Sequence, residues 1–353
     1  MQRTFVKADT LKQKPTDETK LGFGRIFTDY MFTMRYSGDK GWIDAKIEPY
    51  APFQMDPSTM VLHYGQGIFE GLKAYTGKDG YYLFRPEDNF KRMNASARRL
   101  CMPEVDIPFV IDSLKELVTL EKDWIPKSKG TSLYIRPTMI AVDPFVGVSA
   151  STEYLFYIIL SPVGAYYAEG FQPVKIYVEE NYVRASDGGL GEAKTMANYA
   201  ASLYAGEVAH KKGFSQVLWL DAAEKKYIQE VGSMNIFFQI DGELLTPPLE
   251  GMILPGITRN SVLQLAKEMG VKASERSFSI DDVITAQKNG KLNEAFGTGT
   301  AAVISPVGLL QYKGVDYVVN DNKIGPLAQK MYDRLTGIQY GEEAESYGWS
   351  IKL

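Results

Sequence analysis

The sequence predicts an α+β fold in two domains. Three observations carry this. The chain has 353 residues, about twice the size of an ordinary domain. Strand-like runs outnumber helical ones, and the helices fall among them without strict βαβ alternation. Near the middle, Ser161-Pro162-Val163-Gly164, then Glu169-Gly170 and Pro173, interrupt the regular pattern. The expected division is a first domain over 1–163, an interdomain loop over 164–174 and a second domain over 175–353.

The elements follow in order. Phe27 to Tyr36 and Lys73 to Phe84 read as strands, the second broken by a Lys78-Asp79-Gly80 turn. Asp56-Pro57-Ser58-Thr59 reads as a helix start, with Asp56 as N-cap and Pro57 at the first helical position. Pro86 to Leu100 reads as a helix because Phe90, Met93, Ala97 and Leu100 recur at spacings of three and four. Tyr154 to Leu160, aromatic and branched, is short enough for a buried strand. Val174 to Ala185 reads as another strand. Thr195 to Lys212 reads as a helix, with His210-Lys211-Lys212 in its last turn and Gly213 just past it as stop signals. Val217 to Leu220 and Asn235 to Ile240 read as strands, the latter followed by an Asp241-Gly242 turn. Thr258 to Met269 reads as a helix closed by Gly270.

Composition bounds the function. At 45% apolar and 23% charged residues, the chain can bury a sizeable core without staples. The balance of 39 Lys+Arg against 43 Asp+Glu, net −4, gives no global pull toward nucleic acid or anionic membrane. A single cysteine, Cys101, excludes an intrachain disulfide, and it is expected to be inert. Two histidines, His63 and His210, exclude a zinc finger or a multi-histidine site, so no metal is expected. The N-terminal stretch is polar and mixed in sign, and no apolar run approaches the roughly 20 residues that span a bilayer. Cytoplasm is the expected compartment.

Four segments of the second half could carry chemistry. In Gly188-Gly189-Leu190-Gly191-Glu192-Ala193-Lys194-Thr195, a lysine sits between a glycine-rich turn and a helix of small residues. A desolvated lysine loses its charge readily and attacks carbonyls; a surface lysine at a helix start is the alternative. Glu230, in Gln229-Glu230-Val231-Gly232-Ser233-Met234-Asn235, heads a run that should be buried, and a buried carboxylate needs a partner. A pyridinium nitrogen would serve; a solvated strand-end acid is the alternative. Leu254-Pro255-Gly256-Ile257-Thr258-Arg259 opens a helix, whose first N–H groups make an anion site or simply an ordinary Thr cap. Gly297-Thr298-Gly299-Thr300-Ala301-Ala302 lets backbone approach a phosphate or carboxylate, or forms a tight turn. A carbonyl-capturing lysine, a pyridinium partner and two phosphate-type sites together form the inventory of a pyridoxal phosphate enzyme.

At these segments the chain resembles the branched-chain amino acid aminotransferases of fold type IV. The matching stretches are Gly188–Tyr199, EVGSMN at 230–235, LPGITR at 254–259 and GTGTAA at 297–302. In the first half they are FTDYM at 27–31, HYGQGIFEGLKAY at 63–75, SLYIRPTMIA at 132–141 and SPVGAYY at 161–167. The likeness runs from about Gly22 to Gly308 with order and spacing intact. It implies a D-amino acid aminotransferase-like fold, with a smaller N-terminal α/β domain and a larger strand-rich C-terminal one.

The resemblance implies roles. Lys194 is the Schiff-base lysine and moves the proton between Cα and C4′ of pyridoxal 5′-phosphate. Tyr199 hydrogen-bonds the cofactor's phenolic oxygen, and Glu230 pairs with its pyridinium nitrogen. Arg92 binds the phosphate, Ile257, Thr258 and Thr300 complete the phosphate cup, and Arg184 holds a position used near the phosphate. Phe23, Tyr64, Phe69, Tyr134, Val148 and Tyr166 wall an apolar substrate slot; read from composition alone, each aromatic is as well a core residue. Arg136 receives the side-chain carboxylate of glutamate or 2-oxoglutarate. Thr300 and Ala301 present N–H groups to the α-carboxylate, and Ser233 stands where many relatives carry Thr.

One departure matters. Animal relatives carry a redox-sensitive C-x-x-C just after the GTGTA stretch, where this chain has Ala302 and Ser305, so thiol–disulfide regulation of that kind is excluded. The reaction implied is a ping-pong amino transfer from L-leucine, L-isoleucine or L-valine to 2-oxoglutarate, by a homodimer in which Tyr64 and Val148 reach the neighbour's site. D-amino acid transaminase or aminodeoxychorismate lyase, on the same fold, is the alternative. A catalytically silent binding protein is the alternative of another class.

Overall fold

The strand-like runs of the first half pair with one another, and so do those of the second. The computed structural model describes residues 2–164 and 170–353. Among them the chain divides into two units, each built on a nine-stranded sheet.

The first unit contains β1 (Thr4–Phe5), β2 (Tyr30–Ser37), β3 (Gly41–Pro49), α1 (Met60–Tyr64), β4 (Gly67–Phe69), β5 (Leu72–Thr76), β6 (Tyr81–Phe84), α2 (Pro86–Arg99), α3 (Ile107–Leu120), β7 (Ser132–Ala141) and β8 (Glu153–Val163). The strands lie side by side as β1-β3-β2-β8-β7-β5-β6, with β4 also on β7. All neighbours are antiparallel except β1 and β3. Side chains alternate across a sheet. Leu133 and Ile135 of β7 join the core with Phe90 and Met93 of α2 and Leu114 and Leu117 of α3. Burying each such side chain is worth about 1.5–3 kcal/mol. Tyr134 and Arg136, between and beyond them, therefore belong to the other face.

The second unit contains β9 (Val174–Val178), α4 (Met196–Lys211), β10 (Gln216–Leu220), β11 (Ile228–Val231), β12 (Met234–Ile240), β13 (Glu243–Thr246), α5 (Ile257–Glu268), β14 (Ala273–Glu275), α6 (Ile280–Lys288), β15 (Leu292–Gly299), β16 (Val303–Tyr312), β17 (Val315–Val318) and most of α7 (Pro326–Gln339). The order is β11-β10-β9-β16-β15-β12-β13-β14, with β17 on β16. A further β11–β12 pairing closes the ring from β11 round to β12. Closure leaves those strands no open edge. Ile176, Leu218, Val231, Ile236, Phe238 and Leu310 form its core.

The fold is the expected α+β one, and three details differ. Asp56 does not cap a helix: its carboxylate accepts from the backbone N–H of Ser58, making a local turn, and α1 begins only at Met60. The strand from Val174 stops at Val178, because the Glu179 carboxylate accepts from the N–H groups of Asn181 and Tyr182 and turns the chain. The tail does not stay with the second sheet. Its last strand, β18 (Ser350–Lys352), pairs antiparallel with β6. The first unit accordingly comprises Met1–Tyr166, Ala193–Met196 and Gly337–Leu353, and the second Tyr167–Glu192 and Ala197–Thr336. No helix of the described residues is long and apolar enough to cross a membrane.

Candidate active site

Lys194 is held in the first unit by its own backbone. Its N–H donates to Ser96 Oγ at 2.9 Å, and its carbonyl accepts from the N–H of Phe69 at 3.1 Å. Thr195 bridges to Ile68 and donates its hydroxyl to the Gly67 carbonyl at 2.9 Å. A Cβ at Gly67 would lie 2.7 Å from Met196 Sδ, so a larger residue there would have to push that side chain aside. The lysine is half-buried, with Nζ 5.2 Å from the centre of the Phe69 ring.

The same ring faces a second cation. Arg136 places Cζ 4.7 Å from the Phe69 centroid and 5.3 Å from that of Tyr134, within cation–π range. Its Nη2 donates to the Tyr134 hydroxyl at 3.0 Å, while its buried Nε has no hydrogen-bond partner. Phe23 meets Tyr134 edge-on at 4.9 Å. Tyr134 lies over Gly71, where a Cβ would come within 2.1 Å of its hydroxyl. Phe23, Phe69, Tyr134, Arg136 and Lys194 therefore form one cluster.

Arg92, buried on α2, is gripped by Glu70. Its Nε and Nη2 donate to the two carboxylate oxygens at 2.7 and 2.8 Å, and Asn89 Nδ2 adds a bond at 2.9 Å. Burial pushes the Glu70 carboxyl up, but the charge and bonds of Arg92, then the charge of Lys194 and the Asn89 bond, outweigh it and hold it below the usual range. Tyr64 and Val148 stand apart from this cluster on an exposed apolar patch with Leu62, Phe145 and Val146, and Val148 is 88% exposed. The Tyr64 hydroxyl donates to the Val146 carbonyl. Tyr166 lies outside the described residues.

In the second unit Glu230 lies near the end of β11 and is 2% exposed. Arg184 Nη1 lies 2.6 Å from its Oε2, and Asn235 Nδ2 donates to its Oε1 at 3.1 Å. Both carboxylate oxygens are thus held in place by side chains of the second unit. Arg184 also donates to the carbonyls of Gly191 at 3.2 Å and Met252 at 3.1 Å. Asn235 also donates to the Leu254 carbonyl at 2.9 Å. Its Oδ1 would lie 1.9 Å from a Cβ at Gly256, which opens α5.

Gly256 offers no side chain to cap α5, and the first turn holds no acid, so the positive end of its dipole favours an anion beside Ile257 and Thr258. Thr300 and Ala301 occupy the half-buried turn joining β15 to β16, next to Thr298, whose buried hydroxyl has no partner. Ser233 is exposed in the turn between β11 and β12, and Tyr199 is half-buried in the first turns of α4.

The amino-transferase class IV family matches residues 67–310. The chain belongs to it. This class IV aminotransferase is 58% identical to branched-chain-amino-acid aminotransferase 2 of Bacillus subtilis (strain 168) over 345 residues, 98% of this chain and 95% of that one. Its fold matches the Escherichia coli branched-chain amino acid aminotransferase with a TM-score of 0.77 at 26% identity, covering 92% of this chain and 99% of that one. A T.th. branched-chain amino acid aminotransferase, solved with pyridoxamine 5′-phosphate, matches at a TM-score of 0.75 and 25% identity, over 91% and 98% of the two chains.

Sequence reading assigns no role to Glu70, Ser96 or Asn235 of this aminotransferase. Glu70 and Asn235 both stand inside the quoted motifs, shortly after residues that do receive one. Their partners, Arg92 and Leu254, lie 22 and 19 positions away, and only the fold supplies that pairing.

Proposed function

We propose that this class IV aminotransferase exchanges the amino group of L-leucine, L-isoleucine or L-valine with 2-oxoglutarate, giving the branched 2-oxo acid and L-glutamate, with pyridoxal 5′-phosphate bound through Lys194. The observation that carries the reading is Phe69, whose ring has the Lys194 amine and the Arg136 guanidinium both within cation–π range. A nucleophilic amine and a carboxylate-binding cation thus share one apolar wall, as a substrate with a carboxylate and an oxo group requires.

The residues present fit the cofactor. The acid-free, glycine-led start of α5 suits its phosphate, and the buried Glu230, held by Arg184 and Asn235, suits a protonated ring nitrogen. When bound, pyridoxal phosphate supplies an aldehyde that condenses with amines and a ring that accepts an electron pair. Lys194 would hold the cofactor and, as a free amine, would carry the proton taken from substrate Cα. Glu230 would serve the ring nitrogen, with Arg184 and Asn235 fixing its carboxylate. Arg92, Ile257, Thr258 and Thr300 serve the phosphate, and Tyr199 the phenolic oxygen. Thr300 and Ala301 serve the substrate α-carboxylate, and Ser233 is assigned beside them. Phe23, Phe69 and Tyr134 give the branched side chain an apolar wall. Arg136, with its unpartnered Nε, takes the glutamate side-chain carboxylate.

The test is the absorption spectrum of the purified protein. With pyridoxal phosphate, a visible band is expected; L-leucine should bleach it to the amine form, and 2-oxoglutarate should restore it. A band that ignores L-leucine and answers D-alanine moves the protein to the D-specific transaminases. No band in folded protein sinks the enzyme reading.

We also propose that the working form is a homodimer in the cytoplasm. The exposed apolar side chains of Leu62, Tyr64, Phe145, Val146 and Val148, with Tyr64 bonded to the Val146 carbonyl, support the assembly, because exposed apolar surface of this kind marks contacts. Val148→Asp should shift sedimentation from dimer toward monomer and lower activity in step. A variant as dimeric as the parent removes this patch from the interface. A single cysteine, and hence no reliance on disulfides, suits a reducing compartment.

A further inference from the structure

We propose that Glu70 is a positioning residue of the first unit: its carboxylate aims the Arg92 guanidinium. The inference rests on the transaminase reading above and assigns a duty that the reading does not contain.

Glu70 is 0% exposed, and burying a lone carboxylate is costly, so its place needs a reason. The fork of Nε and Nη2 onto its two oxygens fixes the guanidinium in plane and direction, which one contact could not do. Asn89 locks the carboxylate from the same helix, donating both to it and to the Gly71 carbonyl. The backbone is fixed as well. The N–H of Phe69 holds the Lys194 carbonyl, and the next N–H, that of Glu70, donates to the Pro137 carbonyl at 2.8 Å. Adjacent residues thus set the backbone of the lysine and the side chain of the arginine.

The two acids of α2 do not take its place: Glu87 pairs with Lys91 and Asp88 with Arg85.

The experiment titrates the visible band with pyridoxal 5′-phosphate, giving the cofactor dissociation constant, and in parallel with pyridoxal, which lacks the phosphate. Glu70→Gln keeps the shape and loses the charge. The pyridoxal phosphate constant should rise about tenfold, the worth of a charge-assisted bond, and the pyridoxal constant should stay. Glu70→Asp keeps the charge but shortens the reach, so it should raise the first constant and leave the second. An unchanged pyridoxal phosphate constant, or an equal rise in both, overturns the positioning role. Should Glu70→Gln fail to fold, Glu70→Asp decides by the same two constants. Absence of any band in the parent protein would instead defeat the transaminase reading.

Discussion

Lys194→Ala should leave a folded protein with no visible band on adding pyridoxal phosphate and a transamination rate lower by about 10⁴-fold. Stability should hardly change. The side chain is half-buried, and its ammonium lies 5.2 Å from one ring centre, a contact worth about 0.5–1 kcal/mol. The anchors of this segment are backbone groups and the Thr195 hydroxyl, which the substitution leaves alone. Lys194→Arg separates charge from chemistry: it keeps the cation over Phe69 but cannot lose a proton, so it should be as inactive as the alanine variant. Measured turnover in the arginine variant near the parental rate would exclude the lysine as the reacting amine.

How far such a site is legible in sequence depends on the distance over which its physics acts. α2 is legible because Pro86 at its start and the spacing of Phe90, Met93 and Ala97 are local signals, and it spans Pro86–Arg99. The stop signals of α4 and α5 place both helices within a residue or two. α3 escapes the pattern although Asp106 caps it by accepting from the N–H of Phe109, because its Ile-Pro-Phe-Val-Ile start looks no more like helix than strand. α6 carries a full capping box between Ser279 and Asp282, a signal that the reading of the sequence does not use. Asp56 misleads for the opposite reason: one side chain can make a cap or a turn, and only the downstream backbone decides. The return of β18 to β6 joins segments more than 260 positions apart, which no local pattern encodes. Motif residues are legible one at a time. What holds each in place, Glu70 on Arg92 or Asn235 and Arg184 on Glu230, is tertiary.

That tertiary shell makes Glu230→Gln the second decisive variant. The glutamine keeps the shape but leaves the Arg184 guanidinium, 7% exposed, without its counter-charge. Breaking a buried pair from one side costs about 3–5 kcal/mol. Here the lower end is expected, because the bonds from Arg184 to the Gly191 and Met252 carbonyls survive. Activity should fall on the order of 10²–10³-fold, the worth of one group aimed at developing charge. Unlike Lys194→Ala, this variant should retain the visible band, and only the conversion by L-leucine should slow. Unfolding and rate could fall together for a trivial reason, so the double variant Arg184→Gln/Glu230→Gln is the control. Removing both charges should recover much of the lost stability, since a buried pair contributes little net. On the role proposed for Glu230, it should recover none of the rate. A double variant that regains activity along with stability would show Glu230 to be a structural anion, and a single variant as fast as the parent would remove it from the reaction.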